Sequence, residues 1–167
     1  MSGMMFVSFS DLIGCFQVIV KIPPVYKKDG PGKKNDFSGL CNIRIYRVRF
    51  SLTGLVAKET ARLSATLTHS GGEIIVDRNN LPHRFIHDAI TTSYSFRLYP
   101  SGKIEVLDDG NIAGLNVDET VTTYAAPGPF ADEWKVDLTN SDLVHLDFSN
   151  VTEAYFDFCG TNYAFPT

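Results

Sequence analysis

The sequence predicts an all-β protein, an antiparallel β-sandwich with the jelly roll as one candidate arrangement, and three observations carry that prediction. Short runs alternate apolar and polar residues with a period of two, as half-buried strands do. Gly, Pro and Asx turn signals recur at roughly 8–12-residue spacing, which separates about nine strands. No amphipathic pattern runs longer than about two helical turns, and the composition favours strands, with 12 Phe and 7 Tyr among 167 residues. A chain of that length suits one core.

The alternation is clearest between Ile43 and Thr68. In Tyr46-Arg47-Val48-Arg49-Phe50-Ser51-Leu52 the even positions are apolar, and in Ala61-Arg62-Leu63-Ser64-Ala65-Thr66-Leu67-Thr68 the odd ones are. Both runs are expected to line one face of a common sheet. Ahead of them, Met4–Phe9 and Cys15–Ile22 are strand candidates, the second ending at Pro23-Pro24, which cannot continue a central strand. The apolar phase slips by one residue between Ile43-Arg44-Ile45 and Tyr46-Arg47-Val48, the mark of a bulge.

After Thr68, Ser70-Gly71-Gly72 is read as a hairpin turn into Glu73-Ile74-Ile75-Val76, Asp77–Pro82 as loop, and Pro82–Ile90 as room for one helical turn. Tyr94, Phe96 and Leu98 alternate with polar neighbours, and Pro100-Ser101-Gly102 turns the chain into Lys103–Leu107 as a second hairpin. Val117–Tyr124 reads as extended, Ala125–Pro129 as a break, and Trp134–Leu138 and Glu153–Phe158 as the closing strands.

The domain organisation follows from these signals. Residues 1–22 supply N-terminal strands open to exchange with a neighbouring chain, and 23–39 form a loop with three prolines, three glycines and four lysines. Residues 40–167 form the β-sandwich domain.

A net charge of −4 gives no long-range attraction to nucleic acid or anionic lipid, and Lys27, Lys28, Lys33 and Lys34 read as a solvated loop. Met4–Ile22 lacks a preceding Lys or Arg and a small-residue cleavage pattern, and Asp11 and Gln17 interrupt it, so it reads as strand and not as a signal peptide or membrane span. Synthesis in the cytoplasm, with release as part of an assembly, is the matching expectation. Three cysteines, Cys15, Cys41 and Cys159, without CxxC spacing indicate neither a disulfide framework nor a zinc site. Buried thiols are the expectation, with a Cys15–Cys41 or Cys41–Cys159 bridge left open.

Catalytic signals are sparse. No GxSxG, phosphate-binding loop or dinucleotide fingerprint is present, so no enzyme, cofactor or metal is expected. His83 and His87 stand at i, i+4 before Asp88, but Arg84 and Phe85 occupy the positions where a zinc hydrolase helix carries its glutamate. Asp108, Asp109 and Asn111, with Asp118 and Glu119, offer oxygens for calcium without EF-hand spacing, and Asx-rich turns form without any ion. Tyr94, Tyr99 and Trp134 are the candidate contacts for a glycan or a protein partner, although the alternation around Trp134 turns it to the core. Asn150-Val151-Thr152 fits the glycosylation sequon.

Taken together, Asp36-Phe37-Ser38-Gly39, the strands Arg44–Leu52 and Ala61–Leu67, the tryptophan strand Phe130–Leu138 and the closing Asp147–Phe158 resemble the C-terminal β-sandwich of the A component of bacterial Tc toxins. The likeness spans about residues 36–163 and is one of strand positions. Leu55-Val56-Ala57 replaces the family's Gly-Pro-Tyr loop, and the helical channel is absent. The resemblance implies a non-enzymatic module that docks on other subunits, as a toxin-complex-like docking domain or a structural subunit of an oligomer. A carbohydrate-binding jelly roll is the alternative.

Overall fold

The computed structural model describes residues 2–7, 17–24, 26, 37, 39–112 and 126–165. In chain order the strands are β1 (Ser2–Val7), β2 (Gln17–Val20), β3 (Leu40–Thr53), β4 (Val56–Ala57), β5 (Ala61–His69), β6 (Gly72–Val76), β7 (Pro82–Ile86), β8 (Ile90–Leu98), β9 (Ile104–Asp109), β10 (Trp134–Asp137), β11 (Leu146–Asp147) and β12 (Glu153–Ala164). The fold is all-β. Every strand pair is antiparallel, and no helix among the described residues is long and apolar enough to cross a membrane.

Two sheets form the body, one of three strands in the order β1-β12-β3 and one of five in the order β2-β10-β5-β8-β9. Their apolar faces meet in one cluster. Val48, Phe50, Phe156 and Phe158 come from the smaller sheet, and Leu63, Leu67, Phe96, Trp134 and Val136 from the larger. The Trp134 ring lies 5.6 Å from Phe158 and 6.1 Å from Phe156, joining one sheet to the other. Alternation produces this sandwich-like pairing directly, because a period of two turns every second side chain of each sheet toward the same interior.

The runs expected to share a sheet do not pair. β3 is an edge of the three-stranded sheet and β5 is the centre of the five-stranded one, so their apolar faces oppose each other across the core. The connection explains the switch. At Gly54 φ is +87°, and a Cβ there would stand 2.0 Å from the Asn150 carbonyl oxygen, so only glycine turns the chain at this place. The loop is then tied to the C-terminal half through Lys58 N–H to His145 O, 2.9 Å, and through the β4–β11 pair.

The phase slip in β3 falls where the pattern breaks. Arg47 pairs with Cys159 and Ile45 with Gly160, which leaves Tyr46 as the extra residue, with Cys41, Ile43 and Ile45 buried before it and Val48 and Phe50 after it. The β8–β9 hairpin forms as expected, turning at Gly102 with Tyr99 N–H to Lys103 O at 3.0 Å.

The turn at residues 70–72 departs from the expected hairpin, since β6 pairs with β7 and not with β5. Gly71, at φ +94°, sits where a Cβ would meet the His87 carbonyl oxygen at 2.1 Å, and it swings the chain out of the large sheet into a separate two-stranded ribbon. Residues 82–86, with room for a helical turn, are extended instead. Asp77 Oδ1 accepts from the N–H groups of Asn79 and Leu81 at 2.8 and 2.9 Å, which closes a hairpin loop and sends Pro82 into an outer strand.

The N-terminal strands pair within the chain, β1 with β12 and β2 with β10. Most of the loop 23–39, Cys15 and the expected strand Val117–Tyr124 lie outside the described residues. Cys41 and Cys159 are free thiols, and burial pushes the Cys41 thiol up from its ordinary value.

Candidate functional site

The turn that ejects the ribbon also gathers a buried carboxylate and two histidines. His69, the last residue of β5, is held between Trp134 of β10 and Ile90 of β8. Glu73 follows on β6, and His87 comes just after β7, its N–H on Gly71 O at 2.9 Å. All three converge. The His69 and His87 rings stack at 5.0 Å, and Trp134 meets the other side of His69 edge-on at 5.0 Å. His69 Nε2 stands 3.4 Å from Glu73 Oε2, and His87 Nε2 stands 4.0 Å from Glu73 Oε1.

Glu73 is almost fully enclosed, with its side chain 2% exposed, so its charge needs partners on the spot. Arg44 Nη1 of β3 lies 3.6 Å from Oε1 and donates to Ala126 O at 3.1 Å. The Gly128 N–H donates to Oε2 in a short bond. Burial pushes the Glu73 carboxyl up, but His69, the Gly128 N–H and Arg44 together outweigh it and hold the group below the ordinary carboxylate value. It is a carboxylate at neutral pH.

The two rings differ in how their protons are placed. Gly71 N–H donates to His69 Nδ1 at 3.0 Å, so a neutral His69 carries its proton on Nε2, facing Glu73. His87 Nδ1 lies 2.7 Å from the Asp88 carbonyl oxygen, which can only accept, so Nδ1 carries the proton and Nε2 presents a lone pair. Both Nε2 atoms are buried; that of His69 has only the long 3.4 Å contact to Glu73 Oε2, and that of His87 has no hydrogen-bond partner.

The His83/His87 spacing, read as a surface loop and as a ligand pair only on a helix, does not bring the two rings together. On an extended strand, residues four apart do not converge as they do on a helix. His83 turns instead to Asp77 Oδ2 at 2.9 Å, and His87 turns inward to His69 and Glu73. Nothing in the sequence marked His69 or Glu73; the Gly71-Gly72 pair between them is the local hint of a reversal.

Of the candidate ligand contacts, Trp134 and Tyr94 are buried, 1% and 7% exposed, with Trp134 Nε1 donating to Pro129 O at 2.9 Å. Their alternation points both at the core, which closes them to a glycan. Tyr99 is partly exposed, its hydroxyl on Glu105 Oε2 at 2.7 Å and Lys103 Nζ 5.5 Å above its ring. The three do not form one platform. In the acidic loop, Asp109 is held by Arg47 at 3.0 Å and by Arg49, while Asp118 and Glu119 lie outside the described residues.

A second feature is the outer edge of the large sheet. β9 is the last strand of its sheet, and Ile104, Val106 and Leu107 are 57%, 48% and 42% exposed. Ile104 pairs with Leu98 and Val106 with Phe96, both core-facing, so these two side chains lie on the inner face of the sheet. By contrast the outer edge of β3 is covered by backbone bonds from Val48 N–H to Gly110 O and from Ile112 N–H to Tyr46 O, each 2.9 Å.

No protein-family model, no curated protein and no solved structure matches the chain, so the likeness to the Tc-toxin sandwich bears on function only as a proposal.

Proposed function

We propose that the protein is a non-enzymatic interaction module that assembles through the open edge of β9. The observation that carries this reading is the exposed apolar inner face of that strand, Ile104 and Val106 with Leu107 beside them. A strand edge with no partner among the described residues and with apolar side chains is a template for another strand, and the resemblance to a docking sandwich points the same way. The occupant that fits is a second copy of the chain. In an antiparallel pairing centred on Ile104, the two Ile104 side chains meet, and Lys103 of each copy stands opposite Glu105 of the other. Both flanks are then complementary in charge.

Light scattering on a sizing column tests this. The full chain is expected to elute as a dimer or a larger assembly, and Ile104→Lys as a monomer, since a charge cannot be buried in the new seam. A monomeric wild-type chain, or an assembly indifferent to Ile104→Lys, overturns the reading. A glycan-binding module has only Tyr99 to draw on among the three aromatic candidates.

A further inference from the structure

The histidine cluster has a geometry that the docking reading does not use. We propose that Glu73, His87 and His69 form a binding site for a single divalent transition ion of the zinc type. The three donor atoms lie within 4.8 Å of one another, and the His69 Nε2 to Glu73 Oε2 separation of 3.4 Å matches the roughly 3.4 Å between neighbouring donors of a tetrahedral ion bound at about 2.0–2.1 Å. Two imidazoles and one carboxylate are a donor set suited to zinc, nickel or copper and poorly suited to calcium or magnesium.

The second observation is the unsatisfied nitrogen. His69 is fully enclosed, and its Nε2 has no acceptor at full hydrogen-bond geometry, the Glu73 carboxylate oxygen beside it standing 3.4 Å away. His87 Nε2 is bare, and the Asp88 carbonyl that fixes the proton on its Nδ1 is the kind of outer partner that orients a ligating histidine. A lone pair buried 4.0 Å from a carboxylate oxygen is repulsive unless a positive species sits between them. Glu73 and His87 are therefore poised to take the ion first. His69 completes the set by moving its proton to Nδ1 and giving up the Gly71 N–H bond. The way in lies past His87, whose side chain is 30% exposed. Arg44, which balances Glu73 without the ion, keeps its bond to Ala126 O when the ion takes its place at the carboxylate.

The test is calorimetric titration of the chelator-treated full chain with zinc chloride, paired with the visible spectrum on adding cobalt chloride. One ion per chain is expected, with the intense visible bands of four-coordinate cobalt. His87→Ala is expected to weaken zinc binding by more than about 100-fold, beyond the 10–100-fold typical of lost outer partners. His83→Ala, whose ring lies on Asp77 outside the pocket, is expected to leave it unchanged. Because His87 is partly exposed, its variant is expected to keep the fold, checked by circular dichroism. Absence of zinc binding, with only a proton filling the gap, overturns the proposal, as does binding that survives His87→Ala or is lost equally in His83→Ala.

Discussion

The two-sheet body and the β6–β7 ribbon are held by different balances of force. In the body, Phe50, Phe156, Phe158, Val48, Leu67 and Val136 are essentially unexposed, and stability comes from apolar area removed from water, which no single partner controls. The ribbon has an outer strand, Pro82–Ile86, exposed along its whole length. Its inner strand buries Ile75 and Val76 and bonds to Phe130 and Asp132 through the backbone, and the rest of its fastening is by polar side chains: Glu73 with Arg44 and Gly128, Arg84 with Asp132, and Asp77 across its loop. Apolar burial is spread over many residues, whereas a polar fastening fails when one partner is lost. The two regions should therefore separate under substitution, acid and salt.

The largest effect is expected in the body. Phe158→Ala removes a ring packed on Phe37, Phe156 and Trp134 and should cost about 4 kcal/mol. Both probes of unfolding, the fluorescence of the single Trp134 and amide exchange in the ribbon, should report one earlier transition. Glu73→Ala should cost about 3 kcal/mol, because it leaves the Arg44 charge without its carboxylate and the Gly128 N–H buried without its acceptor. Here the probes should part company, with ribbon amides losing protection under conditions where the Trp134 signal stays native. Coincident transitions in Glu73→Ala would show that ribbon and body unfold as one unit.

The same contrast divides what could be read from the sequence. The body is legible because alternation is a local signal: Val48 and Phe50, Leu63 and Leu67, and Trp134 and Val136 all turn to the core as their spacing dictates, and the slip at Tyr46 is visible as a change of phase. Which strands share a sheet is not legible, since β3 and β5 show identical periodicity whether they lie side by side or face to face. Only the tertiary ties of the 54–60 loop decide it. The histidine pocket is less legible still. His69, Glu73 and His87 come from three segments and converge because Gly71 takes a left-handed conformation, and the one histidine spacing that stood out, His83 with His87, has meaning only on a helix.

The smallest expected effects fall on the ribbon's exposed fastenings, where acid and salt act without touching the body. The His83 ring and the N–H groups of Leu81 and Asn79 hold the Asp77 carboxyl below its ordinary value of 3.8, and Arg84 does the same for Asp132, also from 3.8. A carboxyl whose folded value is depressed stabilises the folded form above its unfolded value, and that contribution is lost as pH falls through the folded one. Protection of the β6 and β7 amides, corrected for intrinsic exchange, should accordingly hold from neutral pH down to 3.8 and then fall, ahead of any change in Trp134 fluorescence. Because Arg84 and Asp132 are both about half exposed, their pairing is open to screening, and roughly 1 M salt should weaken it at neutral pH. Arg84→Ala should reproduce the salt effect and abolish its further dependence on salt. Ribbon protection that stays flat through pH 3 would mean that β6 and β7 are fastened chiefly by Glu73 and its buried partners.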